Sequence, residues 1–267
     1  WPPTPCSVSS IAIWPLRTGW TAGDRPRLGS PASWPTARLL QTRERTKVVH
    51  DLIDFFSASG SWSGTAGIPQ RAVAHLYVSV LSMGVAAIIA IPAGLWLGHR
   101  NRGAAPASAV ANAGRAIPTL ALLGLATVAV GIGFWPTLIA MVALAIPPMF
   151  TNTFTGIRGV DPGVRSAAVG LGFEDFELLR QVEIPLAMPL ILTGVRIAAL
   201  QVVATATLGA LVGFVALGSF IEEGRLQPDR GKLLGGSVLV IALALLADGV
   251  VGAAAHRASR WQRPRSQ

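Results

Sequence analysis

The sequence predicts an all-α membrane protein with about five transmembrane helices. Of the 267 residues, 51% are hydrophobic and only 13% are charged, against roughly 25% charged in an average soluble domain. The mean hydropathy is +0.53, and the charges cluster so that uncharged runs of membrane-spanning length remain between them. Helices in soluble cores carry a polar face, which these runs lack. A soluble globular domain is therefore excluded, as is disorder over most of the chain.

Uncharged runs locate the individual spans. The predicted spans are 76–98, 117–133, 136–154, 188–214 and 233–255. The second and third share one uncharged run of 42 residues, in which the glycines at 131–133 and Pro136 mark a tight turn. The fifth is interrupted by Asp248 alone. A separate insertion of 106–114 would raise the number of spans to six.

Lysine and arginine are distributed unevenly between the two sides of the membrane. With five spans, segments 99–116 and 155–187 and the basic tail 257–267 fall on one side and carry ten of them, whereas the other side carries three between the spans. Cytoplasmic segments are enriched in Lys and Arg, so the C-terminus is predicted to be cytoplasmic. Because the net charge of +9 follows topology, nucleic acid is not expected as a partner.

The N-terminal part of the chain has a different character. Residues 1–47 contain seven Lys or Arg, with scattered Trp and Pro and no hydrophobic periodicity, and form an atypical extension. Two explanations are open: a disordered tail, or a segment foreign to the native protein. Residues 48–75 are predicted to be a lead-in outside the membrane, within which 49–56 is amphipathic enough to lie on the membrane surface.

The sequence contains no recognisable catalytic or metal-binding constellation. Cys6 is the single cysteine, and the four histidines lie far apart without ligand spacing. We therefore assign no catalytic residue, metal site or cofactor. An intramembrane enzyme would need such a site, and only Arg196 and Asp248 are ionisable within the spans. The chain is predicted not to be an enzyme, and a non-transporting membrane scaffold is the other alternative to a transporter.

Arg196 and Asp248 lie at similar depths in successive spans. Each is about eight residues, or roughly 12 Å, from the cytoplasmic end of its span. Isolated charges at that depth would be costly. Three interpretations are open: a structural ion pair, two independent residues that snorkel to the interface, or groups that line the transport pathway.

The cytoplasmic segment 158–187 predicts a compact knob rather than a solvated linker. Asp161 can cap a first short helix that ends before Gly172, and a second is predicted at 174–182, ended by Pro185. Apolar residues lie on one side of both helices. Because five acids outnumber three arginines in this segment, an anionic lipid surface is disfavoured. We expect a protein partner to cover the apolar side.

The same segment carries a recognisable spacing. Ala167 and Ala168 are followed, after three residues, by Gly172, and nine residues later by Val-x-Ile-Pro. This resembles the Glu-Ala-Ala loop of ABC importer permeases, which reads Glu-Ala-Ala, three residues, Gly, nine residues, Ile-x-Leu-Pro. The resemblance implies the type I (MetI-like) permease fold, with a cytoplasmic coupling helix that docks on an ATPase. It assigns this coupling role to Ser166, which replaces the glutamate, and to Ala167, Ala168, Gly172, Val182, Ile184 and Pro185.

Three further segments are similar to permeases of osmoprotectant importers. They read AIPTLALL from Ala116, PPMFTNTFTGIRGVDP from Pro147 and ATATLGALVG from Ala204, and the similarity covers roughly 49–256. It implies a multi-pass protein of the bacterial inner membrane that imports glycine betaine, choline, carnitine or proline betaine. It further implies three partners: a second permease subunit, an extracytoplasmic binding protein and a separate ATPase chain. A permease for another small solute, such as methionine, is the alternative.

A separate ATPase chain agrees with the sequence, since this chain has no GxxxxGK[ST] phosphate-binding sequence.

Two GxxxG spacings, Gly94–Gly98 and Gly209–Gly213, arise either from close helix packing or by chance. Aromatic residues in the spans form either interfacial anchors or a cage for a quaternary ammonium group. These are Tyr77, Trp96, Phe134, Trp135, Phe150, Phe154 and Phe214.

Overall fold

A computed structural model describes residues 47–64, 66–101 and 118–259, with single positions at 105, 107, 109, 110 and 112. The described residues form helices and turns, and no strand occurs among them. The predictions for residues 1–46, for Ala116 and Ile117, and for the tail beyond Ser259 lie outside this part of the chain.

Helices account for almost all of the described residues. They are α1 (47–57), α2 (Ser59–Trp62), α3 (Ile68–His99), α4 (Thr119–Val130), α5 (Phe134–Arg158), α6 (Pro162–Gly170), α7 (Asp175–Glu177), α8 (Ile184–Thr205), α9 (Gly218–Leu226) and α10 (Arg230–Ser259). A π-helical turn, Leu178–Glu183, joins α7 to α8, and a 3-10 helix, Ala206–Val212, continues α8.

Four helical stretches within the described residues are long and apolar enough to cross a membrane. They are Ile68–His99, Phe134–Arg158, Asp175–Val212 and Arg230–Ala255. The second predicted span, 117–133, corresponds to the 12-residue α4, which is shorter than the roughly 20 residues that a span requires. Gly131 ends α4 early because its φ of +90° is incompatible with a right-handed helix.

The helix that contains the first predicted span, α3, begins at Ile68, before residue 76. Pro69 occupies the first turn of α3, where a proline is tolerated. The charged Arg71 then lies inside the helix and is buried, because Glu223 on α9 pairs with it at 2.7 Å. A charge at position 71 is therefore compatible with this helix.

The prediction that Pro185 ends a separate second helix is wrong. The chain is helical without a break from Asp175 to Val212. The Ile184 N–H bonds to the carbonyl of Leu179, five residues back, and Pro185, which follows directly, has no N–H to place. The wider π turn thus brings the proline into the first turn of α8, where it is tolerated.

Glycines allow α5 to pack closely between α3 and α8. A Cβ at Gly94 of α3 would lie 2.8 Å from the Thr153 Cβ of α5. A Cβ at Gly98 would lie 2.9 Å from the Cβ of Ile157, also on α5. A Cβ at Gly194 of α8 would lie 2.7 Å from the Pro148 carbonyl oxygen. Ordinary carbon contacts are about 3.5–4.0 Å. The Gly94–Gly98 spacing therefore marks a helix contact.

Ion pairs tie the two ends of α3 to other parts of the bundle. Arg71, near its start, pairs with Glu223, and His99, its last residue, lies 2.8 Å from Glu183. Along the helix these two positions are about 42 Å apart at 1.5 Å per residue, which matches the roughly 40–45 Å of a bilayer with its headgroups. The coupling segment therefore lies at the His99 end, opposite α9.

Candidate functional site

The predicted coupling segment begins with a capped helix. The Asp161 carboxylate accepts hydrogen bonds from the backbone N–H groups of Gly163, at 2.6 Å, and Val164, at 3.2 Å. Pro162 occupies the first helical position, where its missing N–H costs nothing. These local interactions set the start of α6 without help from the rest of the chain.

Gly172 ends this helix in a Schellman arrangement. The Phe173 N–H bonds to the Ala168 carbonyl at 3.2 Å, and the Gly172 N–H bonds to the Val169 carbonyl at 3.0 Å. The φ of Gly172 is +90°, a conformation that glycine adopts without the Cβ clash of other residues. The glycine of the predicted coupling pattern is thus required by the shape of the turn.

The residues assigned to coupling divide into an exposed and a buried set. Ser166, Ala167, Gly172 and Pro185 are exposed, Val182 and Ile184 are half-buried, and Ala168 is buried. Ser166 donates its hydroxyl hydrogen to the Pro162 carbonyl within its own helix, at 2.9 Å. The side chain at this position therefore makes a contact only within α6 and is free on its outer side.

Four apolar side chains of the segment point away from the bundle. We call them the docking face: Val164, Val169, Leu171 and Phe176, which are 43%, 58%, 80% and 69% exposed. They lie at the end of the bundle where arginines are enriched and where no hydrocarbon is expected. Exposed apolar side chains on a short, structured segment are typical of a protein–protein contact.

A buried ionic cluster lies beneath the docking face, and the sequence analysis did not identify it. The Glu183 side chain is 1% exposed, and its Oε2 lies 2.8 Å from His99 Nδ1. Its Oε1 lies 3.2 Å from Arg165 Nε, an ion pair that is not aligned as a hydrogen bond. Arg165 also donates from Nη2 to the Ile157 carbonyl at the end of α5. The available signal was an acid directly before Ile-Pro, at the point where a span begins.

Arg196 and Asp248, the two charges within the spans, are brought together. Arg196 Nε lies 2.5 Å from Asp248 Oδ1, and Nη2 lies 2.6 Å from Oδ2. The side chains are 44% and 25% exposed in the single chain. Arg196 lies about 18 Å along α8 from Ile184.

Several of the aromatic residues that are scattered in the sequence meet in the structure. Phe134 contacts Tyr77, Trp135 and Phe214, with ring centroids 5.5–5.9 Å apart. These are distances of rings in direct contact. Tyr77 and Trp135 are more than half exposed, and this combination favours an interfacial anchor.

Comparison with known proteins was made against families, individual relatives and solved structures. The family described as binding-protein-dependent transport system inner membrane component matches residues 90–260, more than half of the chain. The fold is similar to that of an inward-facing conformation of the MetNI methionine ABC transporter, with a TM-score of 0.61 and 22% identity, over 72% of this chain and 96% of that chain. The predicted MetI-like fold is therefore confirmed.

Relatives with named functions match about two thirds or more of the chain. The chain is 33% identical to the glycine betaine/carnitine/choline transport system permease protein OpuCB of Bacillus subtilis, over 66% of this chain and 82% of the relative. It is 28% identical to the choline transport system permease protein OpuBB of the same species, over 78% and 94%. It is 36% identical to the osmoprotectant import permease protein OsmY of Salmonella typhimurium, over 65% and 75%.

These matches confirm that the chain is a membrane subunit of a transport system. They also confirm the prediction that the chain is not itself an enzyme. The resemblance first noted in the spacing of Ala167, Ala168 and Gly172 extends over residues 90–260. The chain belongs to the family of inner membrane components of binding-protein-dependent transport systems.

Proposed function

We propose that this chain is the permease subunit of an ATP-driven importer for quaternary-ammonium osmoprotectants such as glycine betaine, choline, carnitine or proline betaine. It forms the translocation pathway together with a second permease subunit, which is either a copy of itself or a paralogue. A separate ATPase drives transport from the cytoplasmic side, and an extracytoplasmic binding protein delivers the solute.

The docking face supports the ATPase contact. It is apolar and exposed, and part of it is carried by a helix that is capped at Asp161 and closed at Gly172. The helical connection from α7 through the π turn into α8 joins this knob directly to a span. A displacement of the docking face is therefore transmitted to the bundle through a continuous helix and not through a flexible loop.

The named relatives carry the solute assignment. Permeases of glycine betaine, carnitine and choline systems are similar to the chain over 65–78% of its length. The likeness to the methionine transporter, at 22% identity, supports the fold and not the solute. The excess of Lys and Arg in segments 99–116, 155–187 and 257–267 supports a cytoplasmic C-terminus.

Co-purification tests the ATPase contact. The full chain and a tagged ATPase subunit from the same genome are expressed together, and Leu171→Asp is expected to abolish recovery of the chain with the ATPase, because it places a charge in the apolar contact. Leu226→Asp is the matched control, since Leu226 is 66% exposed on α9 at the opposite end and should leave recovery unchanged. Full recovery of Leu171→Asp would remove the docking face from the proposal.

Uptake tests the solute. Cells without their own osmoprotectant importers receive the full chain with its ATPase and binding protein, and radiolabelled glycine betaine and choline are supplied at high salt. Salt-stimulated uptake that disappears with Leu171→Asp would support both solute and docking. Uptake of labelled methionine instead would assign the chain to the alternative solute. If the chain co-purifies with the ATPase but glycine betaine, choline and methionine are not taken up, two functions remain: an importer of another solute, or a scaffold.

A further inference from the structure

The Glu183 carboxylate is the most deeply buried charged group of the coupling segment. The other acids of that segment, among them Glu174, Asp175 and Glu177, are exposed. Taking a carboxylate out of water is costly unless charged partners surround it. The burial of Glu183 at the start of a span therefore requires partners that offset the loss of hydration.

Two side chains from different elements, His99 and the cationic Arg165, contact this carboxylate. His99 is the last residue of α3, and its Nδ1 lies 2.8 Å from Glu183 Oε2. Arg165 belongs to α6, the helix that carries part of the docking face, and its Nε lies 3.2 Å from Oε1. One carboxylate thus contacts both the knob and the end of the first span.

A third element joins through Arg165. Its Nη2 donates to the carbonyl of Ile157, the last buried residue of α5 before the loop. Ile157 also packs in a buried apolar cluster with Ala187 and Ile191 of α8. The ends of α3, α5, α6 and α8 therefore meet around Glu183, with apolar packing beside the charges.

The π turn determines where this carboxylate lies. Glu183 is its last residue, and π turns inside helices occur frequently at functional positions. The turn inserts one residue relative to a regular α-helix, which rotates everything before it by about 100° relative to α8. The π turn therefore sets the orientation of the docking face relative to α8.

We infer that Glu183 is a positioning residue that transmits movement of α6 to α3 and α8 through His99 and Arg165. When the ATPase moves the docking face, the paired charges keep the knob and the ends of the spans together. This role rests on the proposed coupling function of the segment. Glu183 itself contacts neither solute nor ATPase.

The test measures communication across the membrane in the assembled complex. The chain, its ATPase and the second permease subunit are reconstituted in nanodiscs, and ATP hydrolysis is measured with and without the binding protein. The binding protein is purified so that it keeps the solute it carries, which makes the result independent of the solute's identity. The readout is the factor by which the binding protein stimulates hydrolysis.

Glu183→Gln keeps the volume of the side chain and removes its charge. We expect an assembled complex with basal hydrolysis, in which the stimulation factor falls about tenfold, the loss expected for one charge-assisted hydrogen bond. Arg165→Met removes the ion pair with Glu183 and the hydrogen bond to the Ile157 carbonyl, so it should also lower the stimulation factor. The two effects should be less than additive in the double variant, because the Arg165–Glu183 ion pair is lost in both single variants. Glu222→Gln, which breaks an exposed ion pair on α9, is the control and should behave as the wild type.

Other results separate the possible failures. Unchanged stimulation in Glu183→Gln would overturn the inference and leave the proposed function intact. Loss of assembly in both Glu183→Gln and Arg165→Met would also overturn it, because the cluster would then be needed only for folding. A wild-type complex that hydrolyses ATP without any response to the binding protein would overturn the proposed function itself.

Discussion

The guanidinium of Arg196 and the carboxylate of Asp248 join α8 to α10 through two parallel contacts of 2.5 and 2.6 Å. Gly252, one turn after Asp248, lies beside the guanidinium, where an added Cβ would make an ordinary contact 3.6 Å from Arg196 Cζ. The paired geometry avoids the cost of two isolated charges in the spans.

Charge reversal tests the pair. Arg196→Asp and Asp248→Arg each place two like charges together, and each should lower the stability of the bundle, because like charges within the spans are unfavourable. The double variant should recover most of the stability and uptake that either single change loses. Thermal unfolding in detergent and solute uptake are the measurements, and the absence of any recovery would rule out a pair.

The φ of Gly172 predicts a difference between two neighbouring glycines. Gly172→Ala should destabilise the coupling knob by about 1–2 kcal/mol, because a side chain is unfavourable in a left-handed conformation. Gly170→Ala is the matched control: Gly170 has open space around it and no positive φ. Co-purification with the ATPase and proteolysis of the loop report the effect. Equal behaviour of the two variants would show that the Schellman turn does not matter for docking.

The close approach of α3 to α5 predicts a similar contrast within one helix. Gly94→Ala places a methyl group 2.8 Å from the Thr153 Cβ, and such overpacking should cost about 1–3 kcal/mol. Gly84→Ala, on the same helix, meets nothing within 4 Å and should leave stability unchanged or higher. Melting temperatures of the purified chain in one detergent make the comparison. A Gly94→Ala variant as stable as Gly84→Ala would contradict the packing.

Two adjacent glutamates of α9 should respond differently to the loss of charge. Glu223 pairs with Arg71, which is buried and lies 4.1 Å above the Phe220 ring, so Glu223→Gln leaves a buried cation without its counter-charge. We expect a loss on the order of 2 kcal/mol, below the 3–5 of a fully buried pair because Glu223 is partly exposed.

Glu222→Gln is the control for that change. The hydrogen bond from Arg225 holds the pKa of Glu222 below its usual value, but the pair is exposed and joins residues of one short helix. Its removal should have little effect on the melting temperature. Equal shifts for the two variants would show that burial of Arg71 does not depend on Glu223.

Local signals in the coupling segment were readable in advance. Asp161 caps α6 and Gly172 closes it as predicted, because each acts on backbone groups within three or four residues of itself. Pro185 was misread for a related reason. A proline within a helical pattern usually ends the helix, and only the π turn before it, which has no local sequence signature, makes the helix continuous.

The contacts around Glu183 could not be predicted from local sequence patterns. Glu183 meets Arg165, eighteen positions earlier, and His99, eighty-four positions earlier. In the sequence these are ordinary charges in a polar connection. Their burial and pairing depend on the meeting of α3, α5, α6 and α8, which no local pattern specifies. The pairing of Arg71 in α3 with Glu223 in α9 likewise has no local signature.

By itself, the sequence determined that this is a helical membrane protein with a structured loop at one end. Hydrophobicity adds up along the chain, so a long uncharged run needs no knowledge of its neighbours to be assigned to a bilayer. Only the tertiary structure decided which charges are paired, which glycines lie at helix contacts and how the knob is joined to the spans. Those properties depend on distances between residues far apart in sequence, and packing of the helices sets these distances.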